Sequence, residues 1–197
     1  MQPEPKRRSN RDRTEATRAD LIRAARKLFT EKTYAETGTP EIAVAAGVTR
    51  GALYHHFADK RALFAAVVEQ EAASVAAEVD RASPPSLSAR DALVAGSDAY
   101  LSAMRVPGRT RLLLIDGPAV LGRAGMDEID SRHANRSLRE GLVAAMRAQS
   151  MIRLPVEALT ALLAAAFDRA ALAIEAGAPG EDYRTVLMAL IDGLSLA

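Results

Sequence analysis

Apolar residues recur through most of the chain at the spacing of one helical face, and nowhere as the sustained alternation of a strand. Leu21, Ile22, Ala25, Leu28 and Phe29 form the first such stripe, in a helix expected to begin at Thr14. Pro40 suits the first turn of a short helix carrying Ile42, Ala43 and Ala46, which Gly47 stops. A second short helix is expected from about Thr49 to His56. A longer one follows from about Asp59 to Arg81, with Leu63, Phe64, Val67, Val68, Val75 and Val79 as its stripe. Ser83-Pro84-Pro85-Ser86 is the clearest break. Beyond it the pattern predicts helices over about 87–104, 108–115, 118–148 (interrupted near Gly122 and Gly125), 155–176 and 181–195. The expected architecture is all-α, with about nine helices.

Composition narrows the class. The chain has 197 residues, 49% of them apolar, which is enough for a buried core and excludes a wholly disordered chain. No apolar run approaches the roughly 18 residues that span a bilayer. The opening Met-Gln-Pro-Glu-Pro-Lys-Arg-Arg has no apolar stretch, so a cytoplasmic protein without a secretory signal is expected. With no cysteine, disulfides, thiolate metal sites and thiol nucleophiles are excluded.

Charge is unevenly spread. Residues 1–62 carry 13 Lys and Arg against 8 Asp and Glu, whereas residues 63–197 carry 13 against 17. A basic first third suggests a surface for a polyanion at one end only. Residues 1–13, with Lys6, Arg7, Arg8, Arg11 and Arg13 and no apolar face, are expected to form a flexible basic arm.

The informative stretch runs from Pro40 to Phe57 and on through Lys60 to Leu63. Two short helices meeting at a glycine can cross closely over small residues such as Ala43 and Ala46. Ile42, Ala46, Val48, Leu53 and Phe57 would bury a shared core. Thr49, Arg50, Gly51, Tyr54, His55 and Lys60 are then left outside. An arginine at a helix start can bridge guanine O6 and N7, and Tyr, His and Lys suit phosphate oxygens. A metal pair at His55 and His56 is disfavoured, because adjacent helical side chains point about 100° apart.

The block Ile42-Ala43-x-x-Ala46-Gly47-Val48-Thr49-Arg50-Gly51-Ala52-Leu53-Tyr54-His55-His56-Phe57-x-x-Lys60-x-x-Leu63 resembles the helix-turn-helix of the TetR family of transcriptional regulators. The resemblance covers residues 15–69, and the length and helical remainder agree with it. It implies a DNA-binding domain over 14–58, a connecting helix over 59–82, and a ligand-binding and dimerising domain over 83–197. By matching position, Thr49, Arg50 and Gly51 would face base edges. Tyr54, His56 and Lys60 would bind phosphates, with His55 beside them and Thr39 as a further backbone contact. Two positions depart from the family pattern: Thr33 stands where glycine is usual, and Thr37-Gly38 where a Thr-Ser or Thr-Thr cap is usual. Either Thr37 or Thr39 could take over that cap.

The remainder carries weaker signals. Leu159, Leu163 and Phe167 with Val186, Leu187, Leu190, Ile191 and Leu194 would supply a homodimer interface, as the last two helices do in the family. Tyr100, Met104, Asp116, Met126, Ile129, His133 and Phe167 could line a pocket of mixed polarity. The reading is a homodimeric, ligand-responsive repressor on a palindromic double-stranded operator, released by a largely apolar small molecule anchored at Asp116 or His133. No cofactor or metal and no membrane partner is expected. A ligand-independent regulator or an activator is the alternative. A helical enzyme is disfavoured, since no phosphate loop, Ser-His-Asp pattern or paired ligand spacing is present.

Overall fold

The structure, a computed structural model, describes residues 10–196. The chain divides into one compact unit ending at Val68 and a second beginning at Glu69. The divide lies inside the connecting helix, not at its ends near residues 58 and 82. The helix backbone is continuous there, and its side chains change partners.

The first unit starts with α1 (Asn10–Glu31), four residues ahead of the expected Thr14. Arg11 Nε donates to Glu15 Oε1 at 3.0 Å, an i, i+4 pair that supports this early turn. Arg11 and Arg13 are therefore helical, and residues 1–9 of the expected arm lie outside the described residues. Leu21, Ile22, Ala25, Leu28 and Phe29 are all buried. They meet Ile42 and Ala43 of α2 (Thr39–Ala45), Leu53 of α3 (Arg50–His56), and Phe57. Ala46 and Val48, expected in this core, are only half-buried. Leu63, Phe64, Val67 and Val68 of α4 (Lys60–Ala82) complete the core.

The second unit contains the rest of α4, then α5 (Ala89–Met104), α6 (Arg109–Arg111), a π-helical turn (Leu112–Asp116), α7 (Gly117–Arg132), α8 (Ala134–Arg147), α9 (Val156–Glu175) and α10 (Gly180–Leu194). Ser88 caps α5, its Oγ accepting from the Asp91 amide at 3.1 Å. Residues 109–132 run on as one helical stretch with a kink, so the described residues form nine helical stretches. The expected 118–148 helix is split at His133 (φ −124, ψ −110) and kinked at Gly122 (φ 78, ψ 166), whereas Gly125 stays helical. The described residues contain no strand, only an isolated bridge between Met151 and Ser195. Leu93, Leu101, Leu142, Met151, Leu163, Phe167, Leu187 and Ile191 form the core of this unit.

Inside that unit, the later turns of α4 are held by charge. Arg109, 6% exposed, donates Nε to Glu71 Oε2 at 2.9 Å and Nη1 to Glu78 Oε1 at 3.0 Å and the Ala103 carbonyl at 2.8 Å. Arg132 Nη2 reaches Glu69 at 2.6 Å, and Arg136 Nη2 reaches Asp80 at 2.8 Å.

Candidate nucleic-acid interface

The turn between α2 and α3 is made by Gly47, whose φ of +69° lies in the left-handed region that favours glycine. Thr49 follows in an extended conformation, and its Oγ1 accepts the Ala52 amide at 3.1 Å. This cap gives α3 a defined start and sets Thr49, Arg50 and Gly51 at its exposed N-terminal end. Leu53 faces inward. Tyr54, on the exposed side, brings its hydroxyl within 3.0 Å of Thr39 Oγ1 on α2. The Arg50 guanidinium lies 5.5 Å from the centre of the Tyr54 ring. The hydrogen bond to Thr39, and then that to Arg50, draws the Tyr54 phenol below its usual pKa. Three polar side chains from two helices thus steady one another at the surface.

His55 is exposed and His56 half-buried. Burial first, then the neighbouring His55 and Arg18, holds the His56 imidazole below its ordinary pKa, so near neutral pH it is uncharged with one N–H to donate. Lys60 is directed inward, its Nζ donating to the carbonyls of Tyr34 and Thr37. The cap of α2 is resolved as well. Gly38 occupies it without a side-chain bond, and Thr37 is buried with its hydroxyl donating to the Thr33 carbonyl at 2.8 Å. Burial removes Thr37 from reach of an external phosphate and leaves Thr39. The Thr39–Tyr54 link escaped sequence reasoning, because nothing in the spacing pairs positions 15 apart.

In the second unit the residues expected to line one pocket engage different partners. Tyr100 and Phe167 meet edge to face, with ring centres 5.7 Å apart, and the Tyr100 hydroxyl donates to Asp168 Oδ1 at 2.5 Å. Met104, Met126 and Ile129 are buried. Asp116 is taken by Arg111 Nε at 3.1 Å, and His133 Nε2 lies 2.6 Å from Glu69 Oε1. These two contacts occupy both expected anchors. Two carboxyls that sequence reasoning missed lie deeper. Burial, and then Asp168 and Asp127, raises Asp130 to about 6. Burial also raises Asp168, against the Tyr100 hydrogen bond that lowers it. The legible signal was a carboxylate set directly after Phe167 in the apolar run of α9. Surface clefts of about 400 and 220 Å³ lie elsewhere in this unit, the first between Arg136, Arg139 and Thr160 and the second between Met104, Thr110 and Ile174. Among the described residues no group of His, Asp or Glu is arranged to hold a metal ion, and no helix is long and apolar enough to cross a membrane.

The expected dimer face also divides. Leu163, Phe167, Leu187 and Ile191 belong to the core of the unit, while Leu159 and Leu194 are half-buried against it. Val186 and Leu190 are exposed, joined on α9 by Leu162, which is 71% exposed. The stripes on α9 and α10 are wide enough to serve two surfaces, and the inner rows fill the core.

A capped, outward-facing second helix, in a chain whose described residues form helices and no strand, is the construction of a helix-turn-helix DNA-binding regulator. Comparison with known proteins agrees. Residues 21–67 match "Bacterial regulatory proteins, tetR family", and residues 90–195 match "Tetracyclin repressor-like, C-terminal domain". A solved TetR-family transcriptional regulator from Pectobacterium atrosepticum is 31% identical, with a TM-score of 0.74 over 96% of this chain and 99% of that one. The transcriptional regulator AcrR of Shigella flexneri is 42% identical over 62 residues, 32% of this chain and 29% of its own length. The transcriptional repressor AcnR of Corynebacterium efficiens is 35% identical over 68 residues, 34% of this chain and 36% of its own. The matches thus span about a third of these two curated relatives. The chain belongs to the TetR family of bacterial transcriptional regulators, and its relatives are regulators rather than enzymes.

Proposed function

We propose that the protein is a homodimeric repressor that holds a palindromic operator until a small molecule binds the second unit. The observation that carries this reading is the exposed, Thr49-capped start of α3. Thr49, Arg50 and Gly51 would meet base edges in the major groove, and Tyr54, His55, His56 and Thr39 the flanking phosphates. A Cβ on Gly51 would meet nothing nearer than Thr49 Oγ1 at 3.9 Å, so a close approach by DNA is a sufficient reason for glycine there. Repression follows from the similarity to AcnR, a transcriptional repressor. Selection of fragments from a random duplex pool by the purified protein tests the reading. A two-fold symmetric site is expected, and a pool with no enriched sequence would sink it.

The dimer is supported by Leu162, Val186 and Leu190, which lie exposed beside the small residues Ala161, Ala165 and Ala189. Leu190→Glu should yield a folded monomer in sedimentation. Leu187→Glu, which places a charge in the core, should instead unfold the unit. A Leu190→Glu protein that still sediments as a dimer removes α10 from the interface.

For the effector, Tyr100 and Asp168 replace Asp116, held by Arg111, and His133, held by Glu69, as anchors of a largely apolar molecule. Ligand and operator should weaken each other by the same factor, typically about 5–150-fold. Isothermal titration of a screening hit with and without operator checks this, and equal affinities in both arms leave a ligand-independent regulator.

A further inference from the structure

We propose that Lys60 is a positioning residue, whose ammonium clasps the loop between α1 and α2 and so sets the register of the DNA-reading pair. It does not neutralise a phosphate. This rests on the DNA-binding reading above. Lys60 Nζ donates to the Tyr34 carbonyl at 2.8 Å and the Thr37 carbonyl at 3.1 Å. It also lies 4.3 Å from the centre of the Tyr34 ring. Two carbonyls take two of the three N–H donors of the ammonium, and its charge also lies over an aromatic face. To reach a phosphate the group would have to surrender charge-assisted bonds to two carbonyls of a half-buried loop.

The clasp sits where it controls the reading surface. The Tyr34 ring is wedged by Phe64 and Phe29, with ring centres 5.0 and 5.8 Å away. The other clasped residue, Thr37, leads through Gly38 directly into α2, which has no side-chain cap of its own. What holds Thr37 therefore bears directly on the start of α2. The first residue of α2, Thr39, meets the Tyr54 hydroxyl, and the Tyr54 ring lies against Arg50. An unbroken series of contacts runs from Lys60 to the arginine at the head of α3.

The test has two arms. In the first, Lys60→Met is compared with the unaltered protein on the duplex recovered by pool selection and on random duplex of equal length. Positioning predicts about ten-fold or greater loss on the selected site, little change on random DNA, and an unchanged slope of log K against log salt. Parallel losses on both duplexes, with the slope shallower by about one, identify a phosphate ligand and overturn the proposal. Unchanged affinity on both also overturns it. The second arm needs neither DNA nor a variant. The chain has four lysines, of which Lys27 and Lys32 are 73% and 43% exposed at the side chain and serve as internal references. Brief labelling of the free protein with an amine-reactive reagent, read by mass spectrometry, should modify Lys60 about ten-fold more slowly than Lys27. Equal rates overturn the clasp. A pool that yields no site sinks the DNA reading, and the labelling rates still decide on Lys60.

Discussion

The two units handle their polar side chains in opposite ways. In the first, Thr49, Arg50, Tyr54 and His55 stand exposed, with Arg50 over the Tyr54 ring and Tyr54 bonded to Thr39, above a core of Leu21, Phe29, Ile42, Leu53 and Phe64. In the second, the notable polar groups turn inward. Arg109 is buried between Glu71 and Glu78, Tyr100 is bonded to Asp168, and His133 lies against Glu69. A surface built to be read by a partner keeps its donors outside. A unit that must hold a particular internal arrangement spends them on itself. The contrast accounts for the short, exposed α2 and α3 in one unit and for the network tying the later turns of α4 to α6, α7 and α8 in the other.

The sharpest way to break the contrast is at Arg109. Arg109→Met should cost about 3–5 kcal/mol of unfolding free energy, because it leaves the buried carboxylate of Glu71, and the half-buried one of Glu78, without their guanidinium. Chemical denaturation checks this, and a loss under about 1 kcal/mol would show the network to be dispensable.

A smaller effect is expected at Asp130. Its carboxyl faces Asp127 on α7, Asp168 on α9 and His133 at the α7–α8 junction, and burial is the main cause of its rise to about 6 from 3.8. A raised acid binds its proton more tightly when folded. Ionised Asp130 therefore costs stability above about pH 6, and the cost is relieved as pH falls from 6 towards 3.8. Asp130→Asn should stabilise the protein by about 1–3 kcal/mol at pH 7.5 and lose that advantage near pH 4. Thermal unfolding at the two pH values decides it, and a gain independent of pH would contradict the account.

The units also differ in how far the sequence revealed them. Helix identities were legible throughout, because 3.6-residue periodicity and Gly or Pro punctuation act locally. The α3 surface was legible because its chemistry sits in one contiguous block, from Thr49 to Lys60. Lys60 shows where this stops. The block marks it as a cation beside DNA, but only the fold brings the Tyr34 and Thr37 carbonyls, more than 20 residues earlier, around its ammonium. In the second unit the interacting polar pairs are distant in sequence, such as Tyr100 with Asp168 and Arg109 with Glu71. Spacing on one helix says nothing of a partner on another. The apolar stripes of α9 and α10 likewise declared that they are buried without saying by what. Half of the expected dimer face proved to be core, while Leu162 on the same helix as Leu163 is exposed. The helix break at His133 was missed because Gly122 and Gly125 offered stronger local signals, of which only Gly122 leaves helical geometry.

The central claim is that the start of α3 reads base edges, and Arg50→Ala tests it most directly. Arg50 lies on the surface with its guanidinium over Tyr54, so its removal should leave the fold intact. Binding of both proteins is measured at one salt concentration on the selected duplex and on random duplex. The account predicts a loss of about 1–3 kcal/mol on the selected duplex and a much smaller change on random DNA. Equal losses on the two would mean that Arg50 only neutralises the backbone, and would contradict sequence reading by this helix.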